Sequence, residues 1–219
     1  FEQQLATAAA DVSGVIRVTC PEPIVLRITR SDLLQRFQQR HPALQVHFVT
    51  SDRYIDLAKG DADVALRSGD TDDGDLVGRK IGDSVWAVYA STGYIERHGR
   101  PHRIEDLPRH ALLGLDDTMA RHRIATWLRE VAPDTPLVGR SNSVLGLVNS
   151  AKAGLGVAPL PIALGDAEAD LVQVIAPVAE LTRIWRLLTT AELRHTPRVA
   201  AFFDFIVEEI DTLRPIITG

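Results

Sequence analysis

Residues 141–161, Ser-Asn-Ser-Val-Leu-Gly-Leu-Val-Asn-Ser-Ala-Lys-Ala-Gly-Leu-Gly-Val-Ala-Pro-Leu-Pro, constrain the fold more than any other stretch, because strand end, helix, turn and strand follow in one run. Ser141, Asn142 and Ser143 offer side-chain oxygens to the unpaired N–H groups of a helix start, and Leu145, Val148 and Ala151 recur at helical spacing as an expected buried stripe. Gly154 and Gly156 end the helix and turn the chain. The strand read over 137–140 comes first, so the helix begins at the carboxyl edge of a sheet. Free N–H donors and a positive dipole end there suit a small polar or anionic ligand. The same residues also read as an ordinary capped helix of an α/β protein.

The rest of the chain alternates in the same way. Before residue 83 the pattern predicts a strand over 15–19, a helix over 24–40 and a strand over 44–49. A short helix over 52–59 and strands over 62–66 and 76–81 follow. That order is expected of a parallel, doubly wound sheet. At Gly82-Asp83 the character changes, and Val85 to Ala90 opens a second series. A helix near 93–97, a strand over 111–115, a helix over 121–131 and the 137–161 run belong to it, with candidate strands at 171–174 and 184–189. Val199, Phe203, Ile206, Ile210 and Leu213 fall on one face of a long closing helix.

Composition narrows the function. The 219 residues carry a formal charge of −5, with 45% hydrophobic and 24% charged residues, so no basic excess equips the chain itself to grip a phosphate backbone. The single Cys20 leaves no internal disulfide and fits a reducing compartment, the cytoplasm. No apolar run is long enough to span a membrane, and the start lacks the pattern of a secretion signal. Seven histidines raise a metal site, but Gly99 and Pro101 break any helix that would align His98 with His102, so no metal or cofactor is expected. Neither a Gly-x-Ser-x-Gly elbow, a phosphate loop nor a His-Glu-x-x-His pattern occurs, so no catalytic residue is assigned.

Several segments in order resemble the effector-binding domain of LysR-type transcriptional regulators: Ala62-Asp63-Val64-Ala65-Leu66-Arg67-Ser68-Gly69, Leu76 to Gly82, Val88 to Pro101, Ala153 to Pro161 and Trp185 to Ile206. The resemblance covers essentially the whole chain. It implies an α/β, type 2 periplasmic-binding-protein-like fold of two Rossmann-like subdomains joined by two crossover strands. Subdomain I is then 12–83 with 185–219, subdomain II is 84–184, and 1–11 is the remnant of a linker helix. It further implies a small-molecule effector in the interdomain cleft and a homodimer that builds to a tetramer in the full-length protein. DNA would be contacted only through an N-terminal winged helix-turn-helix outside this sequence. A free-standing periplasmic solute-binding protein is the alternative, and an enzyme acting in the same cleft is a third class.

Ligands of open α/β sheets sit beyond the carboxyl ends of strands. That rule nominates Thr19, Cys20, Pro21 and Glu22 after the first strand, Thr50 and Ser51 after the second, and Arg67 and Ser68 after the third. The second half adds Asp116, Ser141, Asn142 and Ser143. Each helix start contributes about 0.3–1 kcal/mol to a bound carboxylate, and Arg67 offers a bidentate ion pair. Against that, Thr50, Ser51 and Asp52 also read as helix caps, Arg67 as a structural ion-pair partner, and Cys20 as a wall or core residue. Glu22 and Asp52 oppose an anion and leave room for a zwitterionic, cationic or neutral ligand.

Overall fold

The computed structural model describes residues 12–69 and 75–219. The linker-helix remnant expected over 1–11 lies outside the described residues. The chain divides into two compact units, one formed by residues up to 83 with 184–217, the other by 84–183 with 218–219. The polypeptide therefore passes between units at 83–84 and again at 183–184.

The first unit is built on a five-stranded sheet ordered β2-β1-β3-β10-β4. Its strands are β1 (Gly14–Cys20), β2 (Leu44–Thr50), β3 (Val64–Ser68), β4 (Leu76–Ser84) and β10 (Arg183–Thr190). β1 runs parallel to β2 and β3, whereas β10, which returns from the far end of the chain, pairs antiparallel with β3. Strand alternation sorts the side chains. Ile16, Val18, Cys20, Val64, Leu66, Trp185 and Leu187 point to one face and share a core with α1 (Glu22–Arg30), α2 (Leu33–Arg40), α8 (Pro197–Glu208) and α9 (Ile210–Thr218). Phe37 anchors that core, fully buried and edge-on to Phe202 and Phe205 with ring centroids 5.2 Å apart. Ala65 and Leu188 point the other way, into a small cluster with Leu57 and Ala62.

Asp63 ties this unit together. Its carboxylate is buried and accepts from the Arg17 backbone N–H at 2.8 Å, from Arg17 Nη2 at 3.3 Å and from Arg198 Nη2 at 3.4 Å. Its carbonyl accepts from Thr189 Oγ1 at 2.8 Å, so one residue links β1, β10 and α8 to the start of β3.

Three elements differ from the sequence expectation. The helix expected over 24–40 is two helices, because Ser31 turns extended, its hydroxyl donates to the Ile28 carbonyl at 2.7 Å and accepts from the Leu33 N–H at 3.3 Å. The helix expected over 52–59 is a single 3₁₀ turn, Leu57–Lys59, capped by Asp56. The closing helix is likewise two, broken at Glu209.

The second unit centres on β5 (Trp86–Ser91), buried at every position, with β8 (Ala158–Pro161) and β9 (Leu171–Ile175) antiparallel on either side. β6 (Leu112–Leu115) pairs parallel with β7 (Leu137–Ser141). A bridge from Leu112 to Val157 joins that pair to the end of β8. α3 (Thr92–His98) and the short α6 (Ile162–Gly165) flank this sheet, while α4 (Arg123–Val131) and α5 (Val144–Lys152) bury Ile124, Trp127 and Leu128, and Val144, Leu147, Val148 and Ala151, against it. The stripe of α5 thus includes Val144 and Leu147, and Leu145 is only half-buried. Two glycines allow the turn that follows. Gly154 has φ of 73°, and a Cβ on Gly156 would stand 2.4 Å from the Ala111 carbonyl oxygen.

Candidate functional site

In the first unit the candidate residues gather at the carboxyl edge of β1, β2 and β3. Cys20 is paired with Thr50, and the Ser51 N–H donates to the Cys20 carbonyl at 3.2 Å. Thr19 is paired with Ala65, so Arg67 stands level with Pro21 two residues further along β3. Alternation then divides the candidates. Thr19 and Arg67 share the Ala65 face, while Cys20, Thr50 and Ser68 belong to the core face, Ser68 opposite Trp185.

Cys20 is a core side chain, 1% exposed, with its thiol donating to the Pro21 carbonyl at 3.4 Å. Burial first, and the Asp52 carboxylate second, push the thiol well above its ordinary range, which disfavours the thiolate. Thr19 is buried, and Glu22 is exposed on the first turn of α1. That helix start is poor in donors, since Pro23 has no N–H and both Ile24 and Val25 donate to the Pro21 carbonyl. Ser51 caps no helix. Its hydroxyl closes a local turn by accepting from the Arg53 N–H at 3.0 Å.

Arg67 forms no ion pair with a described residue. Its guanidinium lies 4.0 Å from the centroid of the Tyr54 ring, Nη1 donates weakly to the Ile55 carbonyl at 3.4 Å, and Nη2 is buried with no hydrogen-bond partner. Burial pulls its pKa down to about 10. Tyr54 was not nominated from sequence, because it lies in the stretch read as a helix.

In the second unit β6 brings Asp116 beside β7, where the Asp116 N–H donates to the Ser141 carbonyl at 2.8 Å. The Asp116 carboxylate is engaged locally, accepting from the Thr118 N–H at 2.9 Å and the Thr118 hydroxyl at 2.5 Å. Ser143 is the N-cap of α5 and accepts from the Gly146 N–H at 3.0 Å, while Ser141 accepts from the Ser143 N–H at 3.2 Å. Asn142 is exposed and has no hydrogen bond among the described residues, which leaves its amide as the polar group of this trio open to a ligand. Among the described residues no group of three or more histidine, cysteine, aspartate or glutamate side chains is placed to hold a metal ion.

Compared with known proteins, residues 9–211 match the family described as LysR substrate binding domain. The HTH-type transcriptional regulator CrgA of Neisseria meningitidis serogroup C (strain 8013) is 29% identical over a 225-residue alignment, covering 95% of this chain and 73% of that protein. Among solved structures, the regulatory domain of CrgA from Neisseria meningitidis superposes with a TM-score of 0.75 at 29% identity, over 91% of this chain and 100% of that one. The effector domain of the regulator AmpR of Pseudomonas aeruginosa superposes at 0.68 with 20% identity, over 92% and 96% of the respective chains, a likeness of fold.

Proposed function

This chain belongs to the LysR substrate binding domain family, and we propose that it reports the level of one small metabolite to a DNA-binding module of the same protein. It is an effector-binding domain of the LysR type, with the α/β, type 2 periplasmic-binding-protein-like fold of the regulatory domains it superposes on. The observation that carries the reading is the family match, which runs through both compact units rather than one. The relatives are transcriptional regulators, which favours sensing over solute transport.

The two compact units act as the two subdomains. The polar groups at the strand ends that serve effector binding are Thr19, Ser51 and Arg67 within the first unit and, within the second unit considered by itself, Asn142. Binding shifts a pre-existing equilibrium between two arrangements of the regulator, and only a difference in affinity for those arrangements does so. A swing from 1:99 to 99:1 needs about 5.5 kcal/mol of such preference. The chain works as a homodimer, as a tetramer in the full-length regulator, in the cytoplasm, and without chemical turnover. DNA contact belongs to the helix-turn-helix part for which the relatives are named.

Incubating the purified chain with a low-molecular-weight cell extract, then desalting and analysing by mass spectrometry, tests this reading. One retained compound released unchanged is expected. Conversion of that compound into a product would make the chain an enzyme.

A further inference from the structure

Arg67 has a neighbour that no local sequence pattern connects with it. In the register of β3 and β10, Arg186 stands directly opposite Arg67, so both side chains leave the same face of the sheet. Directly opposed residues of an antiparallel pair have Cα atoms about 4.5–5.5 Å apart, and like charges there are destabilising. Neither arginine forms an ion pair with a described residue. Arg186 Nη1 donates to the Gly69 carbonyl at 2.6 Å, Arg67 Nη1 donates to the Ile55 carbonyl, and Arg67 Nη2 is buried without a partner.

We propose that Arg67 and Arg186 form a two-guanidinium cradle for the carboxylate of a small organic acid, with Tyr54 stacked on Arg67 as its cover. The inference rests on the effector-binding reading and names the ligand class of its first-unit site. Two adjacent cations on one sheet face, one with an unused buried donor, are a cost in the unliganded domain that a bound anion removes. Planar guanidinium forks match a carboxylate in geometry as well as charge. A doubly charged phosphate is less suited to the position, because it gains from many backbone donors and the adjacent start of α1 supplies few, with Glu22 exposed on its first turn.

The test is calorimetric titration of the 219-residue chain with benzoate, succinate and acetate, and with benzamide and sulfate as controls, at matched ionic strength. At least one carboxylate is expected to bind saturably. Arg67→Gln and Arg186→Gln should each weaken it about tenfold or more, as expected for the loss of a charge-assisted fork. Each substitution should change the melting temperature of the unliganded chain little, because the hydrogen bond lost to the Ile55 or Gly69 carbonyl is offset by removal of a like-charge neighbour. A merely structural arginine would lower it. Binding by none of the three carboxylates, sulfate binding alone, or affinity retained in both variants overturns the inference. If the extract experiment still retains a compound, the effector-binding reading survives that failure; if nothing is retained, both fall.

Discussion

At the scale of single residues, a buried carboxylate and a half-buried imidazole give sharp expectations. Replacing Asp63 by alanine removes the acceptor for the Arg17 backbone N–H and the anchor shared by Arg17 and Arg198. Both arginines are partly exposed and regain water, so the expected loss is about 2–3 kcal/mol rather than the larger cost of a stranded buried charge. Urea unfolding of Asp63→Ala measures it. His122 is the N-cap of α4, its ring nitrogen accepting from the Ile124 N–H at 3.3 Å and its ring lying against Trp86. Burial, and then the positive charge of Arg183, lower its pKa from 6.5 to about 4. Above pH 6.5 the ring is neutral in both folded and unfolded chains. As pH falls from 6.5 to 4 the unfolded chain takes up the proton first, so stability falls by about 1–3 kcal/mol in that window. His122→Asn keeps a capping oxygen and should flatten, though not abolish, the fall in melting temperature, since His41 and His110 are also lowered by burial. Individual residues were legible unevenly. Arg67 is nominated by its place after an apolar strand, but Arg186 is one of many arginines until the β3–β10 register sets it opposite. Tyr54 was hidden because an irregular loop has no period to read.

At the scale of elements, the chain's strands were readable because apolar runs bounded by glycine, proline and polar residues mark them, and the α5 segment because its cap, stripe and terminating glycine agree. Ser143→Ala should cost about 1 kcal/mol through loss of the bond to the Gly146 N–H. Gly154→Ala should cost about 1 kcal/mol because a side chain must take φ of 73°. Thermal unfolding of the two single variants checks both. Two long helices were overestimated for one reason: apolar periodicity continues across Ser31 and Glu209, and a break that preserves the buried face leaves little trace in the pattern. The antiparallel partners of β5 were equally hidden, since periodicity carries no strand direction. Phe37→Ala should cost about 3–5 kcal/mol, because the ring is fully buried against Phe202 and Phe205 in the core that α2 shares with α8.

At the scale of the whole molecule, β10 explains why the chain must return to its first sheet. It inserts between β3 and β4, supplies Trp185 and Leu187 to one face and Leu188 to the other, and places Arg186 beside Arg67. A sheet assembled from residues more than a hundred positions apart cannot be read from local pattern alone. The family likeness made that return visible in the sequence, through the Trp185 to Ile206 segment, where periodicity had shown only another strand and a helix. The same strand that closes the first sheet therefore completes the site proposed on it. Ligand linkage follows: a compound that binds only the folded domain adds stability, about 2.7 kcal/mol at a hundred times its dissociation constant. The most direct measurement is the melting temperature of this chain against a panel of aromatic acids, amino acids and sugar acids. The effector-sensing account predicts a saturable rise with at least one compound that mass spectrometry recovers unchanged. A flat response across the panel and across a whole-cell metabolite extract would contradict it.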